Sequence, residues 1–425
     1  MKALVFDRNV TLGCDPEFFF TDEAGQTTGA EKVLPKNGLQ YNPYNSTEPG
    51  ESSNIIIDGV QSELNPRPGE CRANLANEMS ACFRVLRKSL NQKGGIKVSF
   101  APVVKLTKAE MDSLSAQSKI FGCAPSTNVY QHTESQIRVN PKRYMKRSAG
   151  GHIHLGGPPR MAKIKKALHN VDVMVPMLDI IVGNTCVLLD RDPSNKERRK
   201  NYGRAGEHRV KEYGIEYRTL SNFWLRGYPL MSFVMGMARF AVHVVSETVE
   251  TDPERNYIKA FFDAVKREDI INAIQNNDFA LAYANYLKIE PLIMELAGGN
   301  TYDYPLNNLT REAFHWVVNK GIAYWFKQDP FKHWCGMIEG HGRGWESWCA
   351  NHVESDRKKV KELSSQLETK LASIKARRIE TEKDLKAQLK ELKALEGEAK
   401  VKAVKAAPEV VVTVAPAAAP AAIPA

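Results

Sequence analysis

Four short segments of the chain place two chemically capable polar residues two positions apart inside apolar runs. The pairs are Asp15 and Glu17, Glu63 and Asn65, His152 and His154, and Glu216 and Arg218. In a β-strand, residues i and i+2 point to the same face of the sheet. Burying such charged groups is costly unless they pair with one another or coordinate a metal. The spacing therefore predicts a binding surface rather than a core, and it favours an enzyme.

The carboxylates among these residues are hard oxygen ligands. Such groups suit Mg²⁺ or Mn²⁺, especially where phosphate oxygens complete the coordination. His152 and His154 lie in a glycine-flanked segment, GGHIHLGG, which allows a ligand to approach closely. One imidazole could bind a metal while the other hydrogen-bonds a phosphate. A His-x-His strand also occurs in zinc hydrolases, so this motif alone leaves that reading open.

An arginine-rich stretch precedes the strand of Glu216 and Arg218. It contains Arg199, Arg204 and Arg209 together with two glycines that would make the loop flexible. Arginine forks bind phosphate bidentately, so we interpret the stretch as a phosphate-binding loop. The alternative is a solvated basic loop, which is the usual role of an arginine run.

Alternating and helical patterns supply the elements that would position these residues. Strand candidates are LGCDPEFFF, NIIIDGV with QSELN, IKVSFAPVV, GGHIHLG and GIEYRTL. Amphipathic spacing predicts a helix over 74–92, and a second helix is predicted over 161–189, where Pro176 would introduce a kink. Residues 252–352 read as mainly helical. The succession predicts an α+β fold.

The chain divides by composition into four parts. Residues 1–250 carry all of the motifs, and 251–352 read as a helical extension that completes this core. Residues 353–407 form a charged segment with coiled-coil-like spacing, for which self-association is a hypothesis. The Ala/Pro-rich end, 408–425, has too little to bury and is expected to be disordered.

Composition narrows the classes of function. The formal net charge is +10, yet the sequence shows no zinc-finger spacing and no RNA-recognition signature, so no nucleic-acid partner is expected. The seven cysteines form no Cys-x-x-Cys pair, which favours reduced thiols in a cytoplasm. The most apolar helix, near 228–249, contains Arg239 and His243, which fits a buried helix better than a membrane span. We expect a cytoplasmic protein that does not bind a membrane.

The order of the motifs carries a resemblance to a known family. Asp-x-Glu, Gln-x-Glu, Gly-Gly-His-x-His, an arginine loop and Glu-x-Arg follow one another between about 11 and 226. This order resembles the glutamine synthetase and glutamate–cysteine ligase superfamily, and within it the phage-type COOH-NH2 ligase type 2. The resemblance implies a glutamine synthetase-like curved antiparallel sheet with helices on its outer face. It also implies ATP and Mg²⁺ or Mn²⁺ on the concave face, and a location in the host cytoplasm.

The same resemblance implies a role for each motif residue. The implied metal ligands are Asp15, Glu17, Glu63, His152 and Glu216. His154 would approach the γ-phosphate, and Arg218 would stabilise phosphoryl transfer. Arg199, Arg204 and Arg209 lie where the family places phosphate-binding arginines, and Arg204 is also taken as catalytic.

Two further polar residues, Asp58 and Asn65, have no secure counterpart in the family. The activity implied by the resemblance is ATP-dependent ligation of a carboxylate to an amine through an acyl phosphate. The substrates would be small molecules or peptides, and the sequence does not identify them.

Three other functions stay open. A guanidino-type phosphotransferase would place the phosphoryl group on nitrogen, and a zinc hydrolase would need no ATP. An inactive fold used as a structural or interaction module belongs to a different class. The intact Glu17, Glu63, His152, Glu216 and Arg218 count against such decay.

Overall fold

The computed structural model describes residues 1, 4, 10–41, 53–70, 72–121, 126–135, 139–157, 162–297 and 329–339, together with scattered positions between 365 and 394. The chain separates into two compact units, Met1–Glu354 and Ser355–Ala425. The predicted tail, 408–425, and most of the predicted charged helix, 353–407, lie outside the described residues. The boundaries drawn within the first unit stay a prediction.

The described residues mix helices with antiparallel strands, so the predicted α+β class is confirmed. The strands are β1 (Thr11–Cys14), β2 (Glu17–Thr21), β3 (Thr27–Thr28), β4 (Leu39–Tyr41), β5 (Ser53–Asp58), β6 (Gln61–Asn65), β7 (Lys97–Ser99), β8 (Val103–Lys105), β9 (Ser126–Asn128), β10 (Thr133–Ser135), β11 (Lys146–Ser148), β12 (Ile153–Gly156), β13 (Glu207–Lys211) and β14 (Gly214–Tyr217). The helices are α1 (Ala30–Val33), α2 (Arg72–Lys93), α3 (Lys108–Asp112), α4 (Ala162–His169), α5 (Val171–Leu178), α6 (Asn184–Leu189), α7 (Ser194–Arg198), α8 (Tyr228–Glu247), α9 (Tyr257–Ala264), α10 (Arg267–Asn276), α11 (Phe279–Ala297) and α12 (Pro330–Glu339). A π-helical turn, Asp179–Gly183, joins α5 to α6, and a 3-10 turn spans Asn222–Arg226.

Two antiparallel sheets carry the motifs, and the N-terminal strands belong to both. The first sheet has the order β1-β12-β14-β13-β9-β10, and the second has β3-β2-β6-β5-β4 with β7 against β2. The predicted strand LGCDPEFFF is in fact two strands, because the chain leaves the first sheet at Asp15–Pro16 and enters the second at Glu17. Proline has no N–H to donate to a ladder, which favours a change of sheet here. The backbone N–H of Glu17 donates to the carbonyl of Gly150 at 2.8 Å.

Helix α8 lies at the centre of the helical layer and packs against α2, α4 and α5. It is apolar around most of its circumference, as expected of a helix that is buried on all sides. By length and composition both 171–189 and 230–247 could cross a membrane, yet 83% and 94% of these windows are buried within the protein. The prediction that the most apolar helix is buried is therefore confirmed.

The predicted helix 161–189 is interrupted twice. It breaks at Asn170, and the π-helical turn begins three residues after Pro176, whose missing N–H disturbs the regular hydrogen bonding. The turn places the buried carboxylate of Asp179 against two tyrosines. Tyr217 donates a hydrogen bond at 2.6 Å and Tyr130 donates one at 2.9 Å. Because Tyr217 alternates with Glu216 along β14, these bonds fix the site strand from its opposite face.

Candidate metal centre

A row of side chains crosses four strands of the first sheet. The register pairs Gly13 with His154, His154 with Glu216, and Glu216 with Arg209. Directly opposed residues on neighbouring strands have their side chains on the same face. A Cβ on Gly13 would lie 3.3 Å from the Cβ of His154, so a glycine at this position leaves the imidazole its space. Strand pairing alone thus brings an imidazole and a carboxylate together.

Asp15 completes the first set of potential ligands. We call Asp15, His154 and Glu216 the histidine cluster, because their ligand atoms all lie within 4.8 Å of one another. The Oδ1 atom of Asp15 is 3.1 Å from Nε2 of His154 and 3.1 Å from Nδ1 of His152. Burial favours the neutral form of Asp15, but its contacts with His152 and His154 hold the pKa well below the ordinary value. Asp15 is therefore ionised at neutral pH.

The two imidazoles differ in their surroundings. His152 is 1% exposed, and burial followed by the positive charge of Arg218 lowers its pKa, so the ring is neutral and carries one N–H. His154 is partly exposed, and its Nδ1 lies 2.5 Å from the hydroxyl of Tyr213, whose ring stacks on the imidazole. The Nε2 atom of His154 is thereby directed at Asp15.

Cationic side chains surround Glu216. Arg218 donates to its Oε1, Arg209 lies 3.4 Å from the same oxygen, and Lys211 lies 3.2 Å from Oε2. Burial raises the pKa of Glu216, but the positive charge of Arg218 reverses this effect and leaves the pKa lowered. The negative charge of the histidine cluster is thus balanced within the protein.

A second set of acids lies where the chain enters the other sheet. Glu17, Asp58 and Glu63 have ligand atoms within 4.8 Å of one another, and we call them the carboxylate cluster. Glu17 on β2 and Glu63 on β6 are opposed in register, so their side chains share one face. Asp58 ends β5, which pairs with β6.

The negative charge of the carboxylate cluster is poorly balanced by positive charge nearby. Burial, followed by repulsion from Asp15 and Glu17, raises the pKa of Glu63 to about 9, although Asn65 donates a hydrogen bond to it at 2.9 Å. Burial and then repulsion from Glu17 raise the pKa of Asp58 to about 7. A divalent cation would relieve this repulsion, and an all-oxygen set of ligands suits Mg²⁺ or Mn²⁺.

Tyr202 connects the two clusters. Its hydroxyl lies 2.8 Å from Oε1 of Glu17 and 2.7 Å from Nε2 of His152. The other oxygen of Glu17, Oε2, accepts the N–H of Gly150 at 2.6 Å. A Cβ on Gly150 would lie 2.3 Å from Nε2 of His152 and 2.7 Å from the tyrosine hydroxyl, so the junction requires a glycine. Sequence reasoning missed Tyr202, and the only signal was a tyrosine next to Gly203 in a loop rich in charges.

The three arginines expected at phosphate are placed differently. Arg199 is buried and donates to the side-chain oxygen of Asn277 at 2.8 Å, and Arg204 donates to the backbone carbonyls of Arg199 and Lys200. Of the three, the structure brings Arg209 to the clusters, through its contact with Glu216. Arg218 lies beside Glu216 as the spacing predicted.

A neighbouring arginine that the sequence reasoning passed over also lies beside the site. Arg198 is completely buried, with its guanidinium 5.6 Å from the centre of the Tyr202 ring. Its Nε and Nη1 atoms find no hydrogen-bond partner among the described residues. Gly203 has a φ of +71°, and a Cβ there would lie 2.0 Å from Nη1 of Arg198. The orientation of α7 about its axis determines that Arg198, rather than Arg199, faces the tyrosine. No pattern in the sequence predicts that orientation.

The fold and the clusters together define an α+β protein with a candidate centre for two divalent cations. Residues 125–297 match the family described as "Phage phiEco32-like COOH.NH2 ligase-type 2". The resemblance to the phage-type COOH-NH2 ligase type 2 is confirmed over these residues, which include His152, His154 and Glu216.

The chain is also similar in structure to a bifunctional glutathione synthetase from Pasteurella multocida. The TM-score is 0.41 and the sequence identity is 12%, over 77% of this chain and 48% of that one. The chain thus spans about half the length of that protein. No curated protein matches the sequence.

Proposed function

We propose that this protein is an ATP-dependent ligase that joins a carboxylate to an amine, on a sheet of the glutamine synthetase type. The observation that carries the proposal is the junction itself, where two ligand clusters meet beside the buried Arg218. The order of the motifs and the description of the family matched by 125–297 agree with this reaction. The substrates would be small molecules or peptides.

The residues at the junction fit two divalent cations. Asp15, His154 and Glu216 would hold one, with Nδ1 of His152 also within reach of Asp15. The carboxylate cluster would hold the other. When bound, Mg²⁺ or Mn²⁺ would neutralise phosphate charge in this centre. The poor compensation of Glu63 supports this assignment, because the cation would supply the missing positive charge.

The roles of the two histidines follow from their surroundings. His154 directs Nε2 at Asp15 and belongs to the ligand set. His152 is held between Asp15 and Tyr202, so we assign it to orienting the cluster and to offering Nδ1 to a cation. The expectation that His154 approaches the γ-phosphate is compatible with this assignment, because its ring is partly exposed.

The proposed reaction has two steps. A carboxylate oxygen attacks the γ-phosphorus of ATP, the bond between that phosphorus and the bridging oxygen breaks, and ADP leaves. The amine then attacks the carbonyl carbon of the acyl phosphate, loses a proton, and inorganic phosphate departs. Arg218 and the nearby Arg198 and Arg209 would offset phosphate charge.

The loop that carries Tyr202 does not have the packing expected of a lid. Its residues Arg199, Tyr202 and Ala205 are buried. We therefore place this loop in the wall of the site.

Phosphate release from Mg·ATP tests the proposal. The purified full chain is incubated with pooled carboxylic acids and amines, and each half of the pool is also omitted in turn. Glu63→Gln is the inactive variant, and Glu134→Gln is its matched control because Glu134 is an exposed glutamate on β10. We expect phosphate release that needs both halves of the pool, is unchanged in Glu134→Gln and falls at least about 100-fold in Glu63→Gln.

Other results would count against the proposal. Phosphate release that does not depend on the pooled acids and amines would indicate an ATPase. Transfer of phosphate to an amine without inorganic phosphate would favour a phosphotransferase. Turnover without ATP that needs zinc would favour a hydrolase.

A further inference from the structure

One hydrogen-bonded chain runs from one cluster to the other. It passes from Oδ1 of Asp15 to Nδ1 of His152 at 3.1 Å, and from Nε2 of His152 to the Tyr202 hydroxyl at 2.7 Å. It ends at Oε1 of Glu17, 2.8 Å from the same hydroxyl. Tyr202 is 8% exposed, and both contacts of its hydroxyl are buried. The chain therefore joins a potential ligand of the histidine cluster to a potential ligand of the carboxylate cluster.

The hydrogen atoms of this series of hydrogen bonds can be arranged in two ways. A tyrosine hydroxyl has one hydrogen, and a neutral imidazole has one N–H. With the hydrogen of His152 on Nδ1, donated to Asp15, Nε2 accepts from Tyr202 and Glu17 faces a lone pair of the hydroxyl. With the hydrogen on Nε2, His152 donates to Tyr202, and the hydroxyl then donates to Glu17. Both arrangements hold two hydrogens, so they differ in direction and not in charge.

A cation in the histidine cluster would select between these arrangements. It would occupy the lone pairs of Asp15 that the Nδ1 hydrogen otherwise uses, which favours the tautomer with a bare Nδ1 and a hydrogen on Nε2. Tyr202 would then donate to Glu17 and, together with the N–H of Gly150, hold both carboxylate oxygens in place. Donors behind a ligand commonly raise metal affinity by fixing its orientation.

We propose that Tyr202 is a positioning residue that couples the two clusters, so that a divalent cation bound in one strengthens the binding of a cation in the other. The inference rests on the proposed function only for the presence of the cations. Coupling of this kind is reciprocal, since each site must change the affinity of the other by the same factor. The two cations would thus bind to the centre cooperatively.

The protein contains a second tyrosine that serves as a matched control for the coupling. Tyr213 also places its hydroxyl on an imidazole, 2.5 Å from Nδ1 of His154. This contact reaches the histidine cluster only. Tyr202→Phe and Tyr213→Phe therefore remove the same atom from two tyrosines. Tyr202 contacts the carboxylate cluster and reaches the histidine cluster through His152, whereas Tyr213 contacts the histidine cluster alone.

The test measures Mn²⁺ binding to the full-length protein without nucleotide. Binding is monitored through the paramagnetic resonance signal of free Mn²⁺. Glu63→Gln leaves the histidine cluster as the remaining site, and His154→Gln leaves the carboxylate cluster. Each tyrosine substitution is made in both backgrounds. We expect Tyr202→Phe to weaken Mn²⁺ about 10-fold in both backgrounds, and Tyr213→Phe to weaken it only in Glu63→Gln. We also expect each cluster to bind Mn²⁺ more tightly in the wild type than in the background that isolates it.

The outcomes separate the inference from the proposed function. Wild-type protein that binds two Mn²⁺ ions, with Tyr202→Phe acting on one cluster or on neither, overturns the coupling and leaves the ligase proposal standing. Wild-type protein that binds no Mn²⁺, with or without ATP, overturns the coupling and the proposed metal centre together.

A second measurement serves if Tyr202→Phe does not fold, as judged by thermal unfolding. Tyrosine absorbance is followed in Tyr213→Phe protein while Mn²⁺ is added to each of the two backgrounds. Coupling through Tyr202 predicts a tyrosine difference spectrum in both. A spectrum in only one background overturns it.

Discussion

The two clusters are built from similar acids but differ in how their charge is balanced. In the histidine cluster, cationic and imidazole neighbours lower the pKa values of Asp15 and Glu216 despite their burial. In the carboxylate cluster, burial and mutual repulsion raise the pKa values of Asp58 and Glu63. The ligands of the first cluster are therefore already ionised in the empty protein, whereas Glu63 of the second cluster would lose its proton when a cation binds.

Proximity of carboxylates does not by itself define one kind of site. Arg218, which is 1% exposed, stabilises the ionised form of the buried Glu216. Removing either partner therefore leaves the charge of the other in a buried position. The acid pair Glu17 and Glu63 is opposed in register, and burial together with repulsion makes ionisation of Glu63 costly in the empty protein. The same substitution should therefore have opposite consequences in the two clusters.

Glu216→Gln should have the largest effect on stability. We expect it to lower the free energy of unfolding by about 3 kcal/mol, because Arg218 loses its counter-charge in a buried position. Glu63→Gln should leave the metal-free protein at pH 8 as stable as the wild type or more stable. Urea unfolding in the presence of a chelator measures both. Equal losses in the two variants would remove the distinction between the clusters.

The pH dependence of the metal-free protein should show the repulsion in the carboxylate cluster. Folded Glu63 keeps its proton up to about pH 9, while the unfolded chain releases it near the ordinary value of 4.5. The folded state thus binds more protons between these values, so stability is full below pH 4.5 and falls as the pH rises, by at most about 1.4 kcal/mol per pH unit for each proton. Asp58 adds to the fall between its ordinary value of 3.8 and about 7.

Two controls sharpen this prediction. Glu63→Gln should flatten the slope between pH 7 and 9, and saturating Mn²⁺ should flatten it as well because the bound carboxylate has already lost its proton. Asp15 and Glu216 contribute in the opposite sense and only in acid, since their pKa values are lowered. A metal-free protein equally stable at pH 7 and 9 would contradict the account.

Arg209→Met should have the smallest effect. It removes a positive charge 3.4 Å from Glu216, so we expect Mn²⁺ affinity in the histidine cluster to rise about 2-fold. Arg204→Met is the matched control, because that guanidinium donates to backbone carbonyls. Mn²⁺ titration in the Glu63→Gln background compares the two. Identical affinities would mean that Arg209 does not influence the cluster.

Much of the candidate site follows from the sequence, because strand alternation is a local property. The pairs Glu63 with Asn65 and Glu216 with Arg218 do contact each other as their spacing predicted. Alternation failed at Asp15, where Pro16 sends the chain from one sheet to the other. The two acids predicted for one face therefore belong to different clusters.

The remaining parts of the site depend on contacts between distant segments. Asp58 ends a strand that is recognisable in the sequence, but its place beside Glu17 comes from the pairing of β5, β6 and β2. Tyr202 reaches Glu17 across 185 positions of sequence. The choice between Arg198 and Arg199 rests on the orientation of one short helix. No local pattern encodes these arrangements.

The most direct test of the central claim, that the junction serves ligation through an acyl phosphate, is the fate of a carboxylate oxygen. Pooled carboxylic acids labelled with ¹⁸O are incubated with the protein, Mg·ATP and pooled amines, and the released phosphate is analysed by mass spectrometry. The account predicts one ¹⁸O atom in each phosphate released with product, and none from Glu63→Gln. Product formed with unlabelled phosphate would contradict it.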